Sequence, residues 1–173
     1  METDINLLAQ KVSEAFAAHP NPGGRPLQVW FEPGKFLVSE CGYFITQVNV
    51  MKQTSAATFV SVDSGFNHLI RPMFYDAYHH IENISNPAGE PKQYSVVGNI
   101  CETDTFAWDR TLQEVREGDY LVFRNAGAYG FEMSSNFNSR YKPAEVMVID
   151  GKAHLIRKRD EFKDLLRNQI EVL

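Results

Sequence analysis

From Asp4 to Ala18 the apolar residues Ile5, Leu8, Ala9, Val12 and Phe16 recur at three- and four-residue steps. That period predicts an amphipathic helix with Asp4 or Thr3 as its N-cap. The run His19-Pro20-Asn21-Pro22-Gly23-Gly24 ends it, since two prolines and two glycines forbid continuation and favour an exposed turn. Leu27 to Phe31 is a short apolar run and predicts a strand. Helix, breaker and strand make half of an alternating α/β unit, yet nothing after Glu32 repeats the alternation.

Beyond Glu40 the pattern changes to β-rich segments separated by turn residues: Tyr43 to Lys52, Thr58 to Asp63, His79 to Ile84, Tyr94 to Ile100, Tyr120 to Arg124 and Glu145 to Asp150. Asp150-Gly151 tolerates the positive φ angles of a tight turn, so Val146 to Asp150 and Ala153 to Ile156 predict a hairpin. A last helix, Asp160 to Gln169, places Phe162, Leu165 and Leu166 on one face. The expectation is a short α/β piece, residues 1–40, joined to a mainly β, antiparallel domain over 41–173 with a terminal helix.

A chain of 173 residues has room for one principal core. With 43% hydrophobic and 23% charged residues it has the make-up of a folded protein. A net charge of -5 without any Lys/Arg stripe argues against nucleic acid as a partner. Cys41 and Cys101 lie too far apart for a zinc pair or a disulfide framework, which points to a reducing compartment. No apolar run is long enough for a bilayer, and METDINLLAQ lacks the features of a signal peptide, so no membrane and a cytoplasmic location are expected.

Several residues could carry chemistry. Glu32 ends the predicted strand in VWFEPGKF, where α/β folds place active sites; it could equally cap a Pro-Gly turn. Cys101 and Glu102 set a thiol beside a carboxylate in NICETD, and such a thiol can donate a proton, attack a carbon or serve as inert packing. Arg71 and Tyr75 share a face if Arg71 to Tyr78 is helical, and an Arg fork suits a carboxylate, although an isolated Arg can also be merely solvated. Asn125 to Arg140 is a long Gly/Ser/Asn-rich loop around Tyr129, either functional or a flexible connection. His79 and His80 lack partners at ligand spacing, and HExxH, paired CxxC, GxGxxG and P-loop patterns are missing, so no metal or dinucleotide site is assigned.

Five blocks in this order carry a resemblance: EPGKF from Glu32, VDSGFNHLIRPMFYDAYH from Val62, VGNICETD from Val97, GDYLVFRNAGAYGFEMSSNFNSR from Gly118 and PAEVMV from Pro143. From about Leu27 onward the chain resembles the C-terminal part of the group IV pyridoxal-phosphate decarboxylases of the alanine racemase-like fold type, and among them the diaminopimelate branch. The resemblance implies a Greek-key or barrel-like β domain after the last helix and strand of a (β/α)8 barrel, here residues 1–40. It implies decarboxylation of meso-2,6-diaminopimelate to L-lysine in a cytoplasmic homodimer.

It also implies roles. Glu32 pairs with the cofactor's pyridine nitrogen and keeps it protonated, with Pro33-Gly34 expected as a tight turn that lets the cofactor approach. Lys35 replaces the family arginine that contacts cofactor and substrate, keeping the charge without the planar fork. Arg71 and Tyr75 match positions for the far end of the substrate, Glu102 the carboxylate for its ammonium group, Cys101 the proton donor, and Tyr129 a contact to both cofactor and substrate. The Cys-Glu block is expected to reach into the neighbouring subunit's site. No lysine stands in the family's Schiff-base motif and no glycine-rich phosphate site occurs, so the polypeptide alone is expected to be inactive. The alternatives are a non-catalytic β module for association, or a related decarboxylase of ornithine, arginine or carboxynorspermidine.

Overall fold

A computed structural model describes residues 4–19, 21, 23, 24 and 27–172. Thr3 as the alternative cap, and Pro20 and Pro22 of the breaker, lie outside the described residues. The chain divides into two compact units after Glu32.

The first unit holds α1 (Ile5–Ala18), capped by the Asp4 carboxylate, which accepts the Leu7 N–H at 3.0 Å. The strand expected at Leu27 to Phe31 does not form; residues 27–33 run without regular structure, and Trp30 is 85% exposed. A strand exists only through ladder bonds to a neighbour, and none of the described strands pairs with this segment.

The second unit begins with helix rather than turn. Pro33-Gly34 opens a one-turn helix, α2 (Gly34–Val38), rather than a tight turn, with Pro33 in the N-cap position. The Pro33 carbonyl accepts the Leu37 N–H at 3.1 Å, and proline's missing donor is no loss at a helix start.

The rest is mainly β, as expected. Six strands, β1 (Phe44–Gln53), β2 (Thr58–Val62), β3 (Ile81–Asn83), β4 (Pro91–Val97), β5 (Thr105–Gln113) and β6 (Tyr120–Phe123), lie in the order β3-β6-β1-β2-β4-β5. The two edges, β3 and β5, come into contact, so the sheet nearly closes into a barrel. The sheet is mixed rather than wholly antiparallel, because β2 and β4 run parallel. The long connection between them, with its short helix α3 (Arg71–Tyr75) and the edge strand β3, supplies the crossover that a parallel pair needs.

Inside the barrel Val48, Val60, Val62, Leu69, Val96, Leu121 and Phe123 are each 2% exposed or less. Phe123 meets Phe44 and Phe106 edge-on at centroid distances of 5.6 and 5.1 Å. Asp109 sits at φ 50° where the β4–β5 register slips, a bulge that interrupts the alternation of β5.

The remaining strands, β7 (Glu145–Ile149) and β8 (Lys152–Arg157), form the expected hairpin, turning through Asp150 and Gly151 at φ 51° and 74°. The terminal helix is only one turn, α4 (Phe162–Leu166), closed by a reciprocal capping box between Glu161 and Asp164. With no buried residue on it, nothing prolongs it towards Gln169.

Candidate functional site

The topology brings the candidate residues of the second unit to one end of the barrel. Strand β1 is antiparallel to both β2 and β6, and β2 is parallel to β4, so β2, β4 and β6 all end at the same rim. There the loop carrying Arg71 and Tyr75 leaves β2, the loop carrying Cys101 and Glu102 leaves β4, and the loop carrying Tyr129 leaves β6. Lys35, on α2 just before β1, enters at that rim too.

Helix α3 is set by Pro72 in its first turn and ends at Asp76 in a left-handed conformation, φ 51°. Arg71 and Tyr75 are therefore one helical turn apart on one face. The Arg71 guanidinium lies over the Tyr129 ring, 5.7 Å from its centroid. Its Nε is buried and has no hydrogen-bond partner among the described residues. A buried donor left unpaired is costly, so an acceptor is the complement it lacks. Tyr75 is exposed and packs edge-on against Phe74 at 4.7 Å.

Tyr129 stands at φ 61° in the loop after β6. Two backbone bonds strap that loop down: the Gly127 N–H donates to the Ser39 carbonyl at 3.0 Å, and the Ala126 N–H to the Gly42 carbonyl at 2.8 Å. Gly127 passes so close to the Val38 carbonyl that a Cβ there would collide with it. The tyrosine is thus tied to the end of α2, which also carries Lys35.

His79, which the sequence left without a role, lies behind this cluster. It is 5% exposed, and its Nδ1 is 2.8 Å from the Arg124 carbonyl. Burial, together with the positive charges of Arg71 and Lys35, holds it below the ordinary histidine value against the pull of that carbonyl. A neutral imidazole adds no charge to a region already bearing two cations.

Cys101 and Glu102 are both exposed on the loop between β4 and β5. Their neighbour Thr103 shares a cleft of about 490 Å³ with Pro72, Met73 and Asp76, so this loop faces one side of α3. Among the described residues no hydrogen bond or ion pair joins Cys101 or Glu102 to Arg71, Tyr75 or Tyr129. The structure thus sets the Arg71 guanidinium on Tyr129, ties the Tyr129 loop to the end of the helix that carries Lys35, and puts the Cys101-Glu102 loop at the same rim. Glu32 belongs to the first unit, in the unstructured stretch before α2.

Two residues that sequence reasoning passed over secure these loops. Asp104 closes the Cys101 loop, and Arg140 donates from Nη2 to the Asn99 carbonyl at 3.3 Å. The only signal for Asp104 was an acid two positions after Glu102.

The described residues hold no helix long and apolar enough to cross a membrane. The chain is 46% identical over 170 residues to a diaminopimelate decarboxylase of Methanothermobacter thermautotrophicus, a match covering 96% of this chain and 39% of that protein. It is 43% identical over 157 residues to the diaminopimelate decarboxylase of Escherichia coli strain K12, covering 83% and 37%. A crystal structure of diaminopimelate decarboxylase from Helicobacter pylori complexed with L-lysine superposes with a TM-score of 0.79 at 37% identity, covering 95% of this chain and 39% of that one. The chain therefore spans about two fifths of the length of these relatives. Residues 35–127, from α2 through β6, match the family described as the C-terminal sheet domain of pyridoxal-dependent decarboxylases, and to that family this chain belongs.

Proposed function

We propose that this chain is the C-terminal part of a diaminopimelate decarboxylase, which removes carbon dioxide from meso-2,6-diaminopimelate to leave L-lysine. The observation that carries the reading is the convergence of Lys35, Arg71, Tyr129 and the Cys101-Glu102 loop at one rim of the barrel, with the Arg71 Nε buried and unpaired there. The names of the relatives supply the substrate, and the L-lysine complexed with the Helicobacter enzyme agrees with the product.

The residues present fit pyridoxal phosphate together with a dicarboxylate substrate: two cations, an aromatic ring and an unsatisfied buried donor suit anionic groups. Glu32, Lys35 and Tyr129 would hold the cofactor, which when bound draws electrons from the substrate carbon so that its bond to the carboxylate can break. Glu32 would keep a proton on the ring nitrogen. Arg71 would grip the substrate's distal carboxylate through its fork, with Tyr75 one turn along. Glu102 would receive the distal ammonium group. Lys35 offers a point charge, which neutralises an anion without fixing its plane. The Cys101 Sγ would give its proton to the carbon that has lost carbon dioxide.

The exposed Cys101-Glu102 arc would be free to reach into the site of a second copy, so that two copies complete each site together. On this reading the chain opens with the end of the cofactor-binding barrel and continues as the sheet domain, with the boundary before α2 rather than at residue 40 because the second compact unit starts at Pro33, and the free thiols Cys41 and Cys101 suit a reducing cytoplasm. The test is a fusion in which this chain replaces the matched segment of the Methanothermobacter enzyme. Lysine and carbon dioxide should form in equal amounts from diaminopimelate. Faster turnover of ornithine or arginine would reassign the substrate.

A further inference from the structure

Asp104 immediately precedes β5 and is only 5% exposed. Its Oδ1 accepts the Phe66 N–H at 2.7 Å, and its Oδ2 accepts the Ile100 N–H at 3.0 Å. One carboxylate therefore ties the loop after β2 to the loop after β4. Its backbone carbonyl also takes the Gly98 N–H at 2.7 Å, which closes residues 98–104 into a ring, and the Asn99 N–H reaches the Ser64 carbonyl at 2.9 Å. Cys101 and Glu102 sit in the exposed arc of that ring.

Two glycines make room for the clamp. A Cβ on Gly65 would come within 2.6 Å of the Asp104 Oδ2, and one on Gly98 would run straight into the carboxylate. Ile100, 7% exposed, pins the near side of the arc into the interior. Burial raises the Asp104 pKa, against the two N–H donors and the charge of Arg140. A carboxylate with a raised folded pKa favours folding less as pH climbs through that value.

We propose that Asp104 is a positioning residue of the decarboxylase site: through the Ile100 and Phe66 N–H groups it fixes the height and rotation of the arc that presents the Cys101 thiol and the Glu102 carboxylate. The role in turnover rests on the functional reading above; the clamp itself does not.

Asp104→Asn replaces one acceptor with an NH2 group that must face one of the two N–H donors, which breaks half of the clamp with little change of volume. In the 173-residue chain, hydrogen exchange at Ile100 or Phe66, whichever amide then faces the NH2 group, should speed up by about tenfold or more while Val60, Val96 and Leu121 keep their protection. In a Cys41→Ser background, iodoacetamide should alkylate Cys101 at a changed rate. In the fusion enzyme, kcat per cofactor-loaded site should fall by roughly 10²-fold and KM for diaminopimelate should rise, with cofactor absorbance unchanged. A purely structural role would lower the loaded fraction and leave KM alone.

Unchanged exchange at Ile100 and Phe66 would overturn the clamp. Faster exchange with native kcat and KM would overturn the positioning role. If Asp104→Asn fails to fold, Gly65→Ala, which presses on the same carboxylate, is read in the same way. A fusion inactive even without substitution would sink the functional reading and the role in turnover with it, while the exchange result would still judge the clamp.

Discussion

Arg71 combines a buried Nε that lacks a hydrogen-bond partner among the described residues with a guanidinium set over an aromatic ring. Removing it relieves the protein of an unsatisfied donor and, on the proposed reading, takes away the fork for the substrate's distal carboxylate. Arg71→Ala in the fusion enzyme should raise KM for diaminopimelate by about 30-fold, the equivalent of about 2 kcal/mol of charge-assisted bonding, which steady-state kinetics would measure. Cys101→Ala should slow kcat by about 10²-fold and spare cofactor binding, as expected for a lost proton donor. His79 and His68 make a separate statement about pH. Burial is the main cause holding both below the ordinary value of 6.5. The unfolded chain then binds more protons, so stability is present above that value and is lost as pH falls through it towards the folded pKa. Urea midpoints at about pH 7.5 and 5.5 should separate more for the native chain than for His68→Gln/His79→Gln; equal separation would remove these histidines as the cause.

Among the elements, the barrel core and the Tyr129 strap invite different substitutions. Phe123, fully buried at the centre of the aromatic trio, should lose about 3–5 kcal/mol on Phe123→Ala, read from urea unfolding. Gly127→Ala should instead displace the loop from Ser39 and Val38, altering Tyr129 and cofactor affinity more than it alters core protection from exchange. The same contrast explains what was legible in the sequence. Alternating strands such as β1 and β2, the Asp-Gly hairpin and the capped helix α1 carry local signals, and they form close to where the pattern puts them. Strand β5 was missed because Asp109 and Arg110 interrupt its middle, and the bulge that accommodates them shows only in three dimensions. Leu27 to Phe31 has the composition of a strand but no ladder partner, and Pro33-Gly34 reads as a turn although it starts a helix. The candidate residues could be named from motifs. Their arrival at one rim depends on the parallel β2–β4 pair, and the Asp104 clamp on bonds between distant loops.

At the scale of the whole molecule, the β7–β8 ribbon stands out because its apolar residues are exposed. Val146, Val148 and Leu155 share one of its faces and are 58–68% exposed. Exposed apolar patches of this kind are binding surfaces or association hazards. Val148→Lys with Leu155→Lys should lower the fluorescence of a hydrophobic dye bound to the 173-residue chain without moving its urea midpoint. Sharing of the site is tested by co-expressing Arg71→Ala and Cys101→Ala fusions. Random pairing of two copies restores about a quarter of the sites, whereas sites complete within one copy would show no recovery.

The most direct measurement is the conversion of meso-2,6-diaminopimelate by the fusion enzyme, its Cys101→Ala variant and the 173-residue polypeptide, each supplied with pyridoxal phosphate and followed by carbon dioxide release and lysine formation. The account predicts steady turnover by the fusion, turnover slowed by about 10²-fold in the variant, and none by the polypeptide alone. A cofactor-loaded fusion that yields no lysine, or steady lysine production by the 173 residues unaided, would contradict it.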